Sequence, residues 1–419
     1  MKTIAVIFGG RSAEHDVSII TAHIPIIDSL RATGTFDIWP VYITKEGDWY
    51  ADKAMNDLAF FKQPNYESIL KKQKKVQLSF DNGLTIIWPG FSPKKVKIDV
   101  VFPSMHGTYG EDGSLMGLLR MAKVPFVGCD MAASAVAMDK AFTKQILEHE
   151  GVPVVPFVVF TKTDYEKDKK PFLEKIAKLN YPLFVKPVHL GSSIGITKVT
   201  GKSRHPHENG DPENQNKALD SRIVYDYSAA APPRNDTAEL ENAIEVALHY
   251  DDKVLVEEGV ENLIEVTLPI IGNDEPQLAS VERPLNKTEF FDFNDKYLSG
   301  GKKSGGVNNA YSEIPANIGD DLTKQVQELG KKTYKILGCA GIARVDFLIE
   351  GSTKKVFVNE VNLLPGSLYA HNWKKSGVSG VELVTKLIAL AEERFAAEQK
   401  LTHTFSSDIL SKVGGPKMQ

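Results

Sequence analysis

The sequence predicts an α/β protein, α+β overall, that opens with a Rossmann-like domain. Three observations predict it. Thr3-Ile-Ala-Val-Ile-Phe8 is a continuous, β-branched apolar run that stops at Gly9-Gly10. That is the pattern of a buried parallel strand entering a turn. Further apolar runs then alternate with stretches of helical spacing. Near the C-terminus, two strand-like runs carry charged or amide side chains inside apolar surroundings: Arg344 and Asp346 in one, Glu360 and Asn362 in the other. A length of 419 residues suggests two or three domains. With 42% hydrophobic and 25% charged residues, global disorder is excluded. The net charge of -4 gives no reason to expect nucleic acid or an anionic membrane as partner. Cys129 and Cys339 make no metal-ligand spacing and no disulfide framework, which favours the cytoplasm. The first apolar run is too short for a signal peptide, and no stretch approaches the roughly 18–20 apolar residues of a membrane span.

The elements follow in order. Ser12 is expected to cap a helix that carries apolar spacing from Val17 to Leu30 despite Pro25. Strands are expected at Phe36 to Thr44 and at Ile98 to Pro103, with hairpin material around Asp81-Asn-Gly83 between them. The basic run Lys71 to Lys75 reads as a solvated helix end. A helix from Ala141 to Glu150 leads into the Pro-punctuated stretch Val152 to Phe157 and a strand from Leu183 to Pro187. Residues 200–236 are polar, interrupted by Pro and Gly, and without periodicity, so they read as a long surface insertion. Then come a helix to Tyr250, a strand from Lys253 to Glu258, and an amphipathic helix from Gly319 to Leu337. Strands Ile342 to Ile349 and Val356 to Val361 and a last helix from Val381 to Gln399 complete the order.

Four segments carry chemistry. Gly9-Gly10-Arg11-Ser12-Ala13-Glu14-His15-Asp16 lies at the carboxyl end of the first strand, where open α/β sheets bind ligands. It lacks the G-x-G-x-x-G spacing of a dinucleotide site. Glu14 and Asp16 suit either a ligand or the dipole of the following helix. In His106-Gly107-Thr-Tyr-Gly110-Glu-Asp-Gly113, the glycines indicate a tight loop against a strand end. Lys186 ends an apolar strand, where an ammonium is costly unless it meets an anion. The adjacent Gly191-Ser192-Ser193-Ile194-Gly195 supplies amides and hydroxyls that suit phosphate. In the fourth segment, Arg344 and Asp346 share one strand face, as do Glu360 and Asn362. If the two strands pair as a hairpin, three oxygen-bearing side chains and a guanidinium converge. Such hard oxygen ligands suit Mg²⁺ held with nucleotide phosphates.

Taken in order, these segments resemble the ATP-grasp superfamily, and within it the D-alanine–D-alanine ligases. The resemblance rests on Gly9-Gly10-x-Ser12-Ala13-Glu14, His106-Gly107-x-x-Gly110-Glu-Asp-Gly113 and Met138-Asp139-Lys140. It continues through Lys186-Pro187, Gly191-Ser192-Ser193-x-Gly195, Phe291-Asp292-x-x-x-Lys296-Tyr297, Arg344-Val345-Asp346 and Glu360-Val361-Asn362. It implies an ATP-grasp fold of three parts. These are a Rossmann-like pre-ATP-grasp domain (1–139), a central lid (140–256) with the insertion, and a C-terminal catalytic domain (257–399), before a polar tail (400–419). It also implies ligation of two D-alanines through an acyl phosphate for peptidoglycan precursors, with ATP as co-substrate, two Mg²⁺ or Mn²⁺ ions, and a homodimer.

The roles it implies fall on single residues. Lys140, Lys186 and Ser193 match the nucleotide-phosphate contacts, and Lys296 lies on a mobile loop over the γ-phosphate. Glu257, with backbone from Glu258 to Val260, matches the adenine hinge, and Glu265 the ribose-binding acid. Asp346, Glu360 and Asn362 match the metal ligands. Arg344 and the Gly366 N–H match the groups that stabilise the tetrahedral oxyanion. Glu14 matches the residue that meets the ammonium of the first D-alanine, near His106, and forms a hydrogen-bonded triad with Ser192 and Tyr297. Leu363 to His371 departs from the Thr/Ser-rich run common in the family, and in the family this segment borders the second substrate. An acceptor other than D-alanine, such as D-lactate or D-serine, therefore stands as the alternative, with His371 as a substrate-side residue.

Overall fold

The computed structural model describes residues 1–191, 193–201, 236–285, 312–404 and 406–408. Ser192, Lys296, Tyr297 and nearly all of the insertion lie outside these residues. β1 (Lys2–Gly9) runs parallel to β2 (Phe36–Ile43), and β3 (Trp49–Ala51) returns antiparallel beside β2. β4 (Gln77–Ser79), β5 (Leu84–Trp88) and β6 (Lys94–Ile98) form a separate antiparallel sheet, and β7 (Val100–Pro103) closes the first sheet in the order β3-β2-β1-β7. The continuous apolar run of β1 has a direct cause. Ile4, Val6 and Phe8 pack into one core and Ala5 and Ile7 into another, so both faces are covered. Burying a side chain such as Phe8 contributes about 1.5–3 kcal/mol.

Two local expectations are corrected. The helix does not start at a Ser12 cap; it begins at His15 with Glu14 at the cap position, while Ser12 Oγ accepts from the Glu14 N–H at 3.1 Å. It also runs in three pieces, α-helical over His15–Thr21, π-helical over Ala22–Ile27, and α-helical again over Asp28–Thr33. Pro25 sits inside the π stretch. A proline interior to an α-helix loses one hydrogen bond and clashes with the preceding turn, and the wider turn accommodates it. The strand expected from Ile98 splits at Asp99. Ile98 ends β6, and only Val100 onward joins the parallel sheet.

The lid is an antiparallel sheet of β8 (Phe157–Thr161), β9 (Leu183–Pro187), β10 (Thr197–Val199) and β11 (Lys253–Glu258), ordered β10-β9-β11-β8. Helix Asp236–Tyr250 covers it through Ile244 and Ala247, which share a core with Val185 and Val256. The C-terminal sheet, β13-β12-β16-β17, comprises β12 (Leu263–Gly272), β13 (Gln277–Leu278), β16 (Gly341–Glu350) and β17 (Val356–Asn362). β14 (Arg283–Pro284) and β15 (Ser312–Glu313) pair beside it. Helix Asp320–Ile336 packs Val326 and Tyr334 onto this sheet, and Ala133, Ala137 and Leu147 share the same core. The last helix, Gly380–Glu398, instead joins the core of the first domain through Leu383, Val384 and Leu387. The last helix thereby ties the N-terminal sheet to the C-terminal lobe, and its Glu392 meets Lys2 at the start of β1 at 2.5 Å.

β16 can start where it does because Gly341 has a φ of 70° and lies against Gly128. A Cβ there would sit 2.9 Å from the Gly128 nitrogen. Gly341→Ala is expected to cost roughly 1–3 kcal/mol through the left-handed backbone alone, read as a lower thermal midpoint of the purified protein. An unchanged midpoint would show that the contact relaxes freely.

Candidate active site

Strand periodicity builds one wall of the site. Along β16 the residues alternate between buried and half-buried, with Arg344 and Asp346 on the half-buried face. β17 runs antiparallel in a register that sets Asp346 opposite Glu360 and Arg344 opposite Asn362. The hairpin anticipated from alternation is therefore present, with a bulge between Asp346 and Phe347. Arg344 donates through Nε and Nη2 to the two Asp346 oxygens at 2.6 and 2.5 Å, and Asn362 donates to Asp346 Oδ2 at 3.0 Å. Burial works against the guanidinium charge, but Asp346 more than compensates and holds Arg344 firmly protonated.

The opposite wall comes from the loops after β1 and β7. A cleft between the walls is lined by Glu14, His106, Lys140, Arg344, Glu360 and Gly366, among others. His106 Nε2 lies 3.0 Å from Thr21 Oγ1, and burial lowers its pKa. Glu111, from the glycine-rich loop after β7, also lines the cleft. Its Oε2 accepts the Gly107 N–H at 2.7 Å. Burial, reinforced by the neighbouring Glu14 charge, pushes the Glu111 carboxyl up to about 8.

The third group is a buried ion cluster under the lid sheet. In the β9–β11 register Lys186 faces Leu255 and Glu257 faces Phe184, so the two ions are diagonal neighbours on one face and form an ion pair. Lys144, from helix Lys140–His149, approaches the other Glu257 oxygen at 2.9 Å, and only 2% of either side chain is exposed. That distance is an ion-pair contact without hydrogen-bond alignment. Burial alone would raise the Glu257 pKa, but Lys144 and Lys186 hold it down at about 2. Burial lowers Lys144 and Lys140, whereas Glu257 more than offsets that effect at Lys186. One helical turn before Lys144, Lys140 donates to the Leu190 carbonyl at 2.6 Å, beside the glycine–serine loop in which Ser193 has a φ of 59°.

Not every expected residue enters this constellation. The Glu257 side chain is committed to Lys144 and Lys186. Glu258 accepts from the Asn180 backbone and side chain at 3.0 and 3.1 Å. Val260 follows β11, and Glu265 on β12 lies near enough to favour the Lys186 charge. His371 turns to Glu282, with Nε2 at 3.0 Å from both carboxylate oxygens. Lys144 was missed; its signal was the four-residue spacing from Lys140, which puts both on one helix face.

The two halves of the chain match two family models. One described as D-ala D-ala ligase N-terminus covers residues 3–129, and one described as D-ala D-ala ligase C-terminus covers 146–208 and 234–389. A D-alanine–D-alanine ligase of Thermoanaerobacter pseudethanolicus is 36% identical over 401 residues, 94% of this chain and 97% of that protein. The chain belongs to the D-alanine–D-alanine ligase family. Another ligase of that name, from Chloroherpeton thalassium, is 34% identical across 96% of this chain and 98% of its own length. Among solved structures, the D-alanine–D-alanine ligase from Coxiella burnetii superposes with a TM-score of 0.72 at 27% identity, covering 95% of this chain and 96% of that one. A D-Ala:D-Ser ligase from Enterococcus faecalis gives 0.70 at 32% identity, with 93% and 99% covered. Members of the family use ATP and a divalent metal, and the fold is the ATP-grasp arrangement. Among the described residues no helix is long and apolar enough to cross a membrane.

One feature of this ligase lies next to its glycine–serine loop. His189 places Nε2 3.3 Å from Asp139 and Nδ1 3.0 Å from Asp251, and Lys253 Nζ also reaches Asp139 at 2.7 Å. The two carboxylates, Asp139 first, raise the His189 pKa to about 9. The folded value lies above the ordinary 6.5, so this contribution to stability is complete below 6.5 and lost as pH rises through about 9. Melting curves of wild type and His189→Gln should therefore converge across that window. A pH-independent gap between them would contradict the cationic bridge.

Proposed function

We propose that the chain joins two D-alanines into D-alanyl-D-alanine for peptidoglycan precursor synthesis, with ATP converted to ADP and phosphate. The observation that carries this reading is the convergence, in one cleft, of Lys140, Glu14, Arg344, Glu360 and Asn362, with Asp346 bonded to Arg344 and Asn362 beside it. The γ-phosphate of ATP passes to the carboxylate of the first D-alanine, forming an acyl phosphate. The amine of the second D-alanine then attacks the acyl carbon, and phosphate leaves as the carbon–oxygen bond breaks. Phosphoryl transfer of this kind relies on positioning and charge neutralisation more than on covalent chemistry by the protein. Lys140 and Lys186, with Ser193, hold the phosphates, and Glu14 holds the ammonium of the first D-alanine near His106. Arg344 and the Gly366 N–H receive the oxyanion of the tetrahedral state, where such donors act most strongly. The Glu257–Val260 segment and Glu265 serve the adenosine. Ser192, Lys296 and Tyr297 take the loop roles that the family pattern implies.

The metal fits the donor set. Asp346 and Glu360 stand opposite in register, and Asn362 commits its amide N–H₂ to Asp346, which leaves its oxygen for a cation. These are hard ligands that suit two Mg²⁺ or Mn²⁺ ions, whose bound charge would offset that of the phosphates. The reading carries with it a cytoplasmic homodimer; the cytoplasm fits the two buried free thiols, Cys129 and Cys339.

A second reading keeps the first substrate and changes the acceptor. It is favoured by the atypical segment from Leu363 to His371 and by the likeness to a D-Ala:D-Ser ligase. Purified protein with ATP, Mg²⁺ and D-alanine should release phosphate and form the dipeptide. Absence of D-alanine-dependent turnover would sink both readings. A mixture of D-alanine, D-serine and D-lactate, resolved by product mass, should yield the alanine dipeptide in excess; a dominant serine or lactate product would select the second reading. Glu360→Gln should cut metal-dependent turnover by roughly two orders of magnitude with the thermal midpoint retained. Near-normal activity would move the metal site elsewhere.

A further inference from the structure

Gly366 is followed by Ser367, Leu368 and Tyr369 at φ values of 54°, 50° and 51°. Three successive L-residues in the left-handed region are disfavoured locally, so surrounding contacts must hold them there. The structure supplies those contacts. Leu368 is fully buried in the core shared by the first domain and the last helix. The Ser367 N–H donates to Thr21 Oγ1 at 3.3 Å, the hydroxyl that also meets His106. Beyond the turn, His371 and buried Asn372 both bind Glu282, with Asn372 Nδ2 at 3.0 Å from its Oε2. The product of this enforced turn is the position of one ring. The Tyr369 ring lies under the Arg344 guanidinium, 4.8 Å from carbon to ring centre, and the His371 ring lies 5.0 Å from it.

We propose that Tyr369 is a positioning residue for Arg344 in the amine-attack step. Among the described residues the hydrogen bonds of the Arg344 guanidinium go to Asp346, with Glu360 adding its charge, and both carboxylates belong to the proposed metal-binding set. A cation bound at Asp346 would draw on the same two oxygens and weaken their bidentate hold on the arginine. The aromatic face then keeps the guanidinium in the cleft, because its attraction for a cation does not compete for metal. This rests on the proposed ligase reading and adds a residue to it. It also gives the atypical segment a task at the reaction centre that does not depend on which acceptor is used.

The test separates the two half-reactions in the full-length protein. Formation of the acyl phosphate is followed by positional exchange of ¹⁸O within labelled ATP in the presence of D-alanine, and the second step by dipeptide formation. Tyr369→Phe keeps the ring, whereas Tyr369→Leu removes it while asking no more of the backbone than Leu368 already does. Tyr369→Leu should lower the dipeptide kcat roughly tenfold with exchange within about twofold of wild type, and Tyr369→Phe should leave both within about twofold. A fully active Tyr369→Leu overturns the proposal. So does an equal fall in both half-reactions, which marks a structural role, or a Tyr369→Phe as impaired as Tyr369→Leu, which assigns the effect to the hydroxyl. Wild-type protein without D-alanine-dependent turnover would overturn the ligase reading and this proposal with it; wild-type turnover beside a fully active Tyr369→Leu overturns the proposal alone.

Discussion

Two ammonium groups can stand inside this protein because the Glu257 carboxylate stands between them. Removing an ion from water costs several kcal/mol even after relaxation, and a carboxylate left alone there would pick up a proton. With Lys144 on one oxygen and Lys186 on the other, Glu257 stays ionised. Among Lys140, Lys144, Lys186 and Glu257 three cations meet one anion, while Glu265 and Glu360, the latter in the proposed metal set, face them from the C-terminal sheet. The excess suits a phosphate chain. The same three residues fix geometry, since Lys186 and Glu257 belong to the lid sheet while Lys144 belongs to a helix whose Leu147 packs with the C-terminal sheet.

From that anchor the cleft is assembled by register. β16 and β17 place Arg344, Asp346, Glu360 and Asn362 on one face, in the stretch of regular pairing that ends at the bulge after Asp346. The N-terminal domain contributes Glu14, His106 and Glu111 from the carboxyl ends of β1 and β7, the usual position for ligands in open parallel sheets. The last helix and the strained turn at 367–369 tie the two sides together. Strain sits at the turn that carries Tyr369, while the sheet beneath departs from regular pairing at the bulge after Asp346.

Much of this was legible in the sequence, for physical reasons that also mark where legibility ends. Period-two alternation sufficed to put Arg344 with Asp346 and Glu360 with Asn362, because a strand leaves no other choice of face. A two-sided apolar run sufficed for β1. Pro25 was harder, since a proline inside a helix permits either a break or a widened turn, and only the packing of Ile26 and Ile27 into the core selects the latter. Lys144 resembled any exposed helix lysine; its meaning depends on Glu257, more than a hundred residues away. The turn at Ser367 to Tyr369 could not be read at all, because left-handed φ at leucine and tyrosine runs against local preference and is imposed by tertiary contacts.

The central claim is that Glu257, shared between Lys144 and Lys186, leaves the phosphate side of the cleft with a surplus positive charge. Calorimetric titration of Mg²⁺–ATP into wild type and Lys144→Met addresses it directly. Methionine fills the buried site and leaves a neutral Glu257–Lys186 pair, so nucleotide affinity should fall about tenfold or more while the protein stays folded. Equal affinity in the two proteins would contradict the claim.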